Sequence, residues 1–365
     1  MNDLNTLPNL PPTINYADLI PELVTAHRAL ASLDTLVRHT WRASEYNYPL
    51  LEREALDSLK LDGAVVSIED ILNKHAGVMP PTERIRDEIS QAGFYSHNLL
   101  MSNASFQHKP LDEEWLKDVH RDITITSKTS RSDVVTFRQE SVDYSGSETM
   151  YTPPTSNDVK KYIANIFDFY ANENGIDNLI KIGICHYQFE AIQPFESNNG
   201  RTGRLLSQTM LVKKDLLYKP VLQFSSYFER NRQNYFEALR GVSTSNDWTG
   251  WLKFFLNAIT AQSHDTTKLI QEYLNINERF KPKVVKASNE YGEKVFSCLI
   301  RQPVFTASDL RTSASIDAVQ TAYNIIDILL KERLIFDATP DRQRGKRYEC
   351  DHIIRKLYKT TQQMY

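Results

Sequence analysis

The chain has 365 residues, 41% of them hydrophobic and 24% charged, with a formal net charge of −3. That length exceeds one ordinary compact core and predicts two or three domains, and the near-neutral balance excludes a chain-wide basic surface for nucleic acid or anionic membrane. Cys185, Cys298 and Cys350 are far apart and odd in number. Neither a disulfide framework nor a zinc site is predicted from them, and a reducing compartment is expected.

In chain order, the first dozen residues, with Pro8, Pro11 and Pro12, read as an extended arm. They lack the basic-then-apolar pattern of a secretory leader, and no stretch reaches the ~20 apolar residues of a membrane span. A cytoplasmic protein without membrane contact is therefore expected. From Asp18 to about Ser105 the apolar spacing is helical, as in Ile20, Leu23, Val24 and then Leu30, Leu33, Val37, with a break at Pro80 and Pro81. A second helical region begins near Leu111 and is interrupted between Ser127 and Pro154. There Val134, Val135, Phe137, Val142 and Tyr144 surround a Ser-Gly turn and predict a β-hairpin.

Helices resume at Ser156 and run, with breaks, to about Asn277, and Lys281 to Lys283 reads as a linker. The last 80 residues predict three helices and a hairpin with a basic tip, which is the pattern of a winged helix-turn-helix. Arg342, Arg344, Lys346 and Arg347 cluster on the proposed wing, but this segment has only a small excess of basic over acidic residues. The electrostatic case for DNA is weak, because nonspecific affinity needs many phosphate contacts.

The densest chemistry lies between His186 and Arg204. His186, Phe189 and Gln193 share a helical face, and Pro194, which has no N–H, ends that helix. Ser197, Asn198, Asn199 and Gly200 form a polar turn tolerant of left-handed backbone, after which helical periodicity resumes. Such a turn aims backbone N–H groups at one point, and the new helix adds the positive end of its dipole. Arg201 and Arg204 occupy that first turn, where cations are unfavourable for the helix itself, and guanidinium groups match phosphate oxygens. A polyphosphate site is one reading. A polar loop capping a core helix, with two surface arginines, has the same spacing.

This segment resembles the Fic family, whose pattern is HPF-x-[DE]-G-N-G-R-x-x-R. Here the residues from Gln193 to Arg204 read QPFESNNGRTGR, preceded by HYQFEAI. The resemblance implies transfer of AMP from ATP to a Ser, Thr or Tyr hydroxyl of a protein target. By position, the family's phosphate cradle and arginines fall on Asn198, Asn199, Gly200, Arg201 and Arg204.

Three positions depart from the pattern. Gln193 stands where the family has its general-base His, and a carboxamide cannot take a proton near neutral pH; losing a general base typically costs ~10²–10⁴-fold. Ser197 replaces the carboxylate that holds Mg²⁺, leaving Ser197 or the neighbouring Glu196 as weakened candidates. Asn198 replaces the first glycine, and Asn enters left-handed conformations more readily than most residues. His186 lies two helical turns before Gln193, roughly 10 Å away, and is read as structural.

Two further elements extend the resemblance. Glu54 to Gly63 is similar to the family's N-terminal inhibitory helix, [ST]-x-x-x-E-[GN], with Ser58 and Gly63 matching and Asp62 in place of Glu. It implies a pairing of Asp62 with Arg204 whose reach, one methylene shorter, the sequence leaves open. The hairpin at Val134 to Met150 stands where the family has its target-docking flap, with Phe137 and Arg138 similar to the Phe-Arg at its start.

The expected fold is mainly α. Residues 1–105 form an N-terminal helical region with the inhibitory-type helix, 106–280 a Fic-like helical core with a β-hairpin flap, and 286–365 a winged helix-turn-helix. The expected function is that of a nucleotide-binding protein related to protein adenylyltransferases, with ATP as substrate or ligand and transfer that is slow or absent. A nonenzymatic nucleotide sensor acting through a DNA- or partner-binding winged helix is the alternative, and a variant phosphoryl or nucleotidyl transferase is the third. The resemblance also implies a homodimer.

Overall fold

The computed structural model describes residues 10–40, 45–101, 109–124, 134–140, 153–172 and 175–359. Its helices follow the apolar spacing of the sequence. α1 (Ile20–Thr40) buries Ala26, Leu30, Leu33 and Val37 along one stripe, and this stripe lies against the longest helix of the fold. After α1 come α2 (Asn47–Leu61), α3 (Ile68–His75), α4 (Glu83–Met101) and α5 (Glu113–Thr124). α3 starts on a capping box, with Ser67 accepting from the Asp70 N–H while Asp70 accepts from the Ser67 N–H.

α6 (Val159–Asn172) leads to α7 (Asn178–Ile192), which is buried on almost every side. A helix without a polar face belongs in the interior, and α7 is packed by α6, α8 (Asn199–Lys213) and α11 (Trp248–Arg279). Asp177 caps its start, accepting from the Leu179 N–H. α9 (Phe224–Arg230) and α10 (Arg232–Ser245) then return the chain to α11, which begins on Asp247 accepting from the Gly250 N–H.

Lys281 to Lys283, read above as a linker, instead opens α12 (Lys281–Ser288). Pro282 is tolerated there because a first-turn residue has no helical acceptor for its N–H. The chain continues through α13 (Gly292–Arg301), β1 (Val304–Thr306), α14 (Ala307–Ser313), α15 (Val319–Lys331), β2 (Phe336–Asp337) and β3 (Arg347–Glu349). The strands pair antiparallel in the order β1-β3-β2, with Phe305 opposite Tyr348 and Phe336 opposite Glu349. The three helices and the closing hairpin are where the sequence places them; β1, only three residues long, was not foreseen.

The apolar core runs without a break from Leu19 to Tyr358. The C-terminal region is joined to the N-terminal helices: Gln302 Nε2 donates to the His75 carbonyl at 2.6 Å, Arg347 Nη1 to Asn73 Oδ1 at 2.9 Å, and Ser297 Oγ bonds Glu45. Residues 354–358 and α13 both pack on α2. Of the predicted flap hairpin, residues 134–140 are irregular and 141–150 lie outside the described residues. Among the described residues no helix is long and apolar enough to cross a membrane.

Candidate functional site

α7 ends on Gln193 in the left-handed conformation (φ 47°), Pro194 prevents its continuation, and Asn198 (φ 58°) is the left-handed N-cap of α8. Asn199 fastens the turn between them. Its Oδ1 accepts from the Phe195 N–H and its Nδ2 donates to the Phe195 carbonyl, both at 2.8 Å. The first hydrogen bond of α8 runs from the Thr202 N–H to the Asn198 carbonyl. The N–H groups of Asn199, Gly200 and Arg201 therefore stand ahead of the helical ladder, at the positive end of the dipole.

The lack of a side chain at Gly200 leaves room for the ends of Arg204 and Asp62 above it. A Cβ there would lie 2.7 Å from Arg204 Nη1 and 3.0 Å from Asp62 Oδ1. The turn opens on a cleft of about 690 Å³. Gln193, Ser197, Asn198, Arg201 and Arg204 line one side; α10 supplies the other through Arg232, Tyr235, Phe236 and Arg240. Glu196, by contrast, is exposed and is not among the lining residues.

α2 reaches over the mouth of this cleft. Arg204 is 1% exposed; its Nε donates to Ser58 Oγ at 2.9 Å and its Nη2 to the Ser58 carbonyl at 2.8 Å and Asp62 Oδ1 at 2.9 Å. Burial lowers the Arg204 pKa, but Asp62, followed by Tyr95 and Glu190, outweighs it, so the net shift is upward and the guanidinium stays charged. The other carboxylate oxygen of Asp62 accepts from Arg201 Nε at 2.9 Å, while Arg201 Nη1 donates to Gln91 of α4 at 2.5 Å. Asp62 thus bridges both arginines. It is the C-cap of α2, and Gly63 (φ 87°) turns the chain away behind it.

Phe137 and Arg138 turn inward. Phe137 packs on Phe195 with centroids 5.5 Å apart, and Arg138, 2% exposed, donates from Nε to the Gln193 carbonyl and from Nη1 to the Glu140 carbonyl, at 2.8 and 2.9 Å. Its Nη2 bonds the carbonyls of Pro154 and Ile192. These carbonyls include the last of α7, where a cation is favourable. The exposed side chains of this segment are those of Val134, Thr136, Gln139 and Glu140. Arg138→Ala is expected to lower unfolding free energy by about 3 kcal/mol, because buried carbonyls lose a charged donor; a urea midpoint unchanged at constant slope would contradict this.

His186 is structural in its contacts. Its Nδ1 pairs with Ser207 Oγ at 2.9 Å and its Nε2 with Tyr235 Oη at 3.1 Å, and burial, then Arg204, pushes its pKa down to about 3. His120, which the sequence did not single out, lies flat on Phe195 at 3.6 Å and bonds Thr202 Oγ1 at 3.0 Å. Gln91, Glu190 and Tyr235 were also missed. Glu190 alone left a trace, as the single acidic residue of the central helix.

Comparison with known proteins agrees with this geometry. The model of the Fic/DOC family matches residues 110–211, from just before α5 to near the end of α8. The chain carries a Fic domain. Over 90 residues it is 38% identical to a probable protein adenylyltransferase of Aquifex aeolicus strain VF5, a match covering 25% of this chain and 26% of that relative. The chain therefore matches about a quarter of the relative's length. A Fic family protein of Desulfovibrio desulfuricans G20 superimposes with a TM-score of 0.57 at 20% identity, covering 94% of this chain and 98% of that one. Fic-1 of C. elegans does so with a TM-score of 0.51 at 16% identity, covering 70% and 73%. At these identities the likeness is one of fold, and it extends well beyond the Fic domain in both directions.

Proposed function

We propose that this Fic-domain protein binds ATP with its phosphates on the turn from Asn198 to Arg204, and transfers AMP to a Ser, Thr or Tyr hydroxyl of a protein target slowly or not at all. One observation carries the reading: the leading N–H groups of α8 and the guanidinium groups of Arg201 and Arg204 converge on one cleft. Gln193 lines that cleft in place of a base, which is why transfer is weak. The residues present do not fit a carboxylate-held Mg²⁺. Ser197 offers a neutral hydroxyl, Glu196 faces solvent, and Asp62 is committed to two arginines.

The test is thermal unfolding with a panel of nucleotides. ATP at a hundredfold excess over its Kd is expected to stabilise the fold by about 2.7 kcal/mol, and Arg201→Ala is expected to abolish the shift. Protection by a cytidine-linked phosphocholine donor but not by ATP would overturn the adenylyl reading in favour of another nucleotidyl or phosphoryl transfer.

A second reading, a nucleotide-dependent regulator, is favoured by the packing of the C-terminal region on α2, the helix that ends at Asp62. For DNA the surface is modest: Lys346 pairs with Asp337 at 2.7 Å and Arg347 donates to Asn73, while Arg342 and Arg344 stay exposed. Two phosphate contacts give a salt slope of about −2. DNA or partner binding that is equal with and without ATP would sink this reading.

A further inference from the structure

The wall of the cleft contributed by α7 holds a carboxyl group that the proposed chemistry does not use. Glu190 lies one turn before Gln193 and lines the same cleft as Asp62, Arg204 and Tyr235. Its Oε1 is buried without a hydrogen-bond partner among the described residues. A Cβ on residue 203 would lie 2.6 Å from that oxygen, so the carboxyl sits against the bare backbone of Gly203 in the first turns of α8. The charged and titratable groups acting on it come from three elements: Arg204 from α8, Asp62 from the end of α2, and Tyr235 from α10. Burial pushes the Glu190 carboxyl up to about 7, with Arg204 pulling it down and Asp62 pushing it further up.

Phosphates entering this cleft would meet Glu190 next to the arginine that receives them. An ionised carboxylate there repels a polyanion, whereas the neutral acid can donate its O–H to a phosphate oxygen. Resting on the nucleotide reading above, we propose that Glu190 belongs to the polyphosphate site as a neutral acid, so that binding a nucleoside triphosphate takes up a proton at this carboxyl. The phosphate charge raises the affinity of Glu190 for its proton in the complex. Affinity is then constant where the free protein already holds the proton, and falls about tenfold per pH unit above that, until the complex itself ionises.

The test is calorimetric titration of ATP into the native full-length chain at about pH 8, in two buffers of different ionisation enthalpy. Close to one proton is expected to be taken up per ATP bound. Glu190→Gln, which keeps the side-chain shape, is expected to lose that uptake and to bind ATP about tenfold tighter than the native chain at this pH. Because ATP's own titration is common to both proteins, only the difference between them reports on Glu190. ATP binding with no proton uptake by the native chain, or with equal uptake by both proteins, overturns this inference and leaves the nucleotide reading standing. No ATP binding by either protein overturns both.

Discussion

Replacing Gln193 with His and Ser197 with Asp is expected to raise AMP transfer by on the order of 10²–10⁴-fold, the usual contribution of a positioned general base. Gln193 already has the required position, lining the cleft at the end of α7, with its backbone held by the Phe189 carbonyl and by Arg138. The fault is chemical. Its carboxamide donates from Nε2 to the Glu190 carbonyl at 2.7 Å and has no basic lone pair for a hydroxyl proton. The aspartate restores a carboxylate where Mg²⁺ could be held against the nucleotide phosphates. The assay is incorporation of label from ATP marked at its α-phosphate, in the double variant and in the same variant carrying Asp62→Ala. Folded, ATP-binding variants that remain silent in both backgrounds would contradict the account.

The second large effect is expected from Asp62→Ala alone, in which ATP affinity rises while stability falls. In the native chain one carboxylate holds both arginines of the phosphate turn, at 2.9 Å each. An incoming phosphate must displace it. Hydrogen bonds to charged groups are worth about 1.5–3 kcal/mol, and Asp62 is partly exposed, so the lower part of that range applies. Removing the competitor is expected to tighten ATP binding by about 10- to 100-fold. The same change leaves Arg204 buried with only the Ser58 hydroxyl and carbonyl as acceptors among the described residues, and unfolding free energy is expected to drop by about 2 kcal/mol. Calorimetry and urea unfolding on the one variant read both signs. Weaker ATP binding together with lower stability would mean that Asp62 supports the site.

The sequence made the phosphate turn legible because local chemistry determines it. Pro194 stops α7, the polar run accommodates left-handed angles at Asn198, and periodicity restarts at Asn199. Distances between remote segments are a different matter. A side chain one methylene shorter than the family's Glu left the reach of Asp62 open, and the answer depended on where α2 ends relative to α8. Phe137 and Arg138 were read as the start of a surface hairpin, yet Arg138 is turned inward, where carbonyls at the end of α7 accept from it. Glu190 and Tyr235 belong to the cleft only through the packing of α7 against α8 and α10, which no short-range pattern encodes. The three-residue β1 is defined by its pairing with β3 more than by its own residues.

The central claim is that the turn from Asn198 to Arg204 is a working polyphosphate site, and it is tested most directly by calorimetric titration of ATP into the native chain and into Arg201→Ala. The account predicts saturable one-to-one binding by the native chain and its loss in the variant. Equal heats in the two proteins, or no binding by either the native chain or Asp62→Ala, would contradict it.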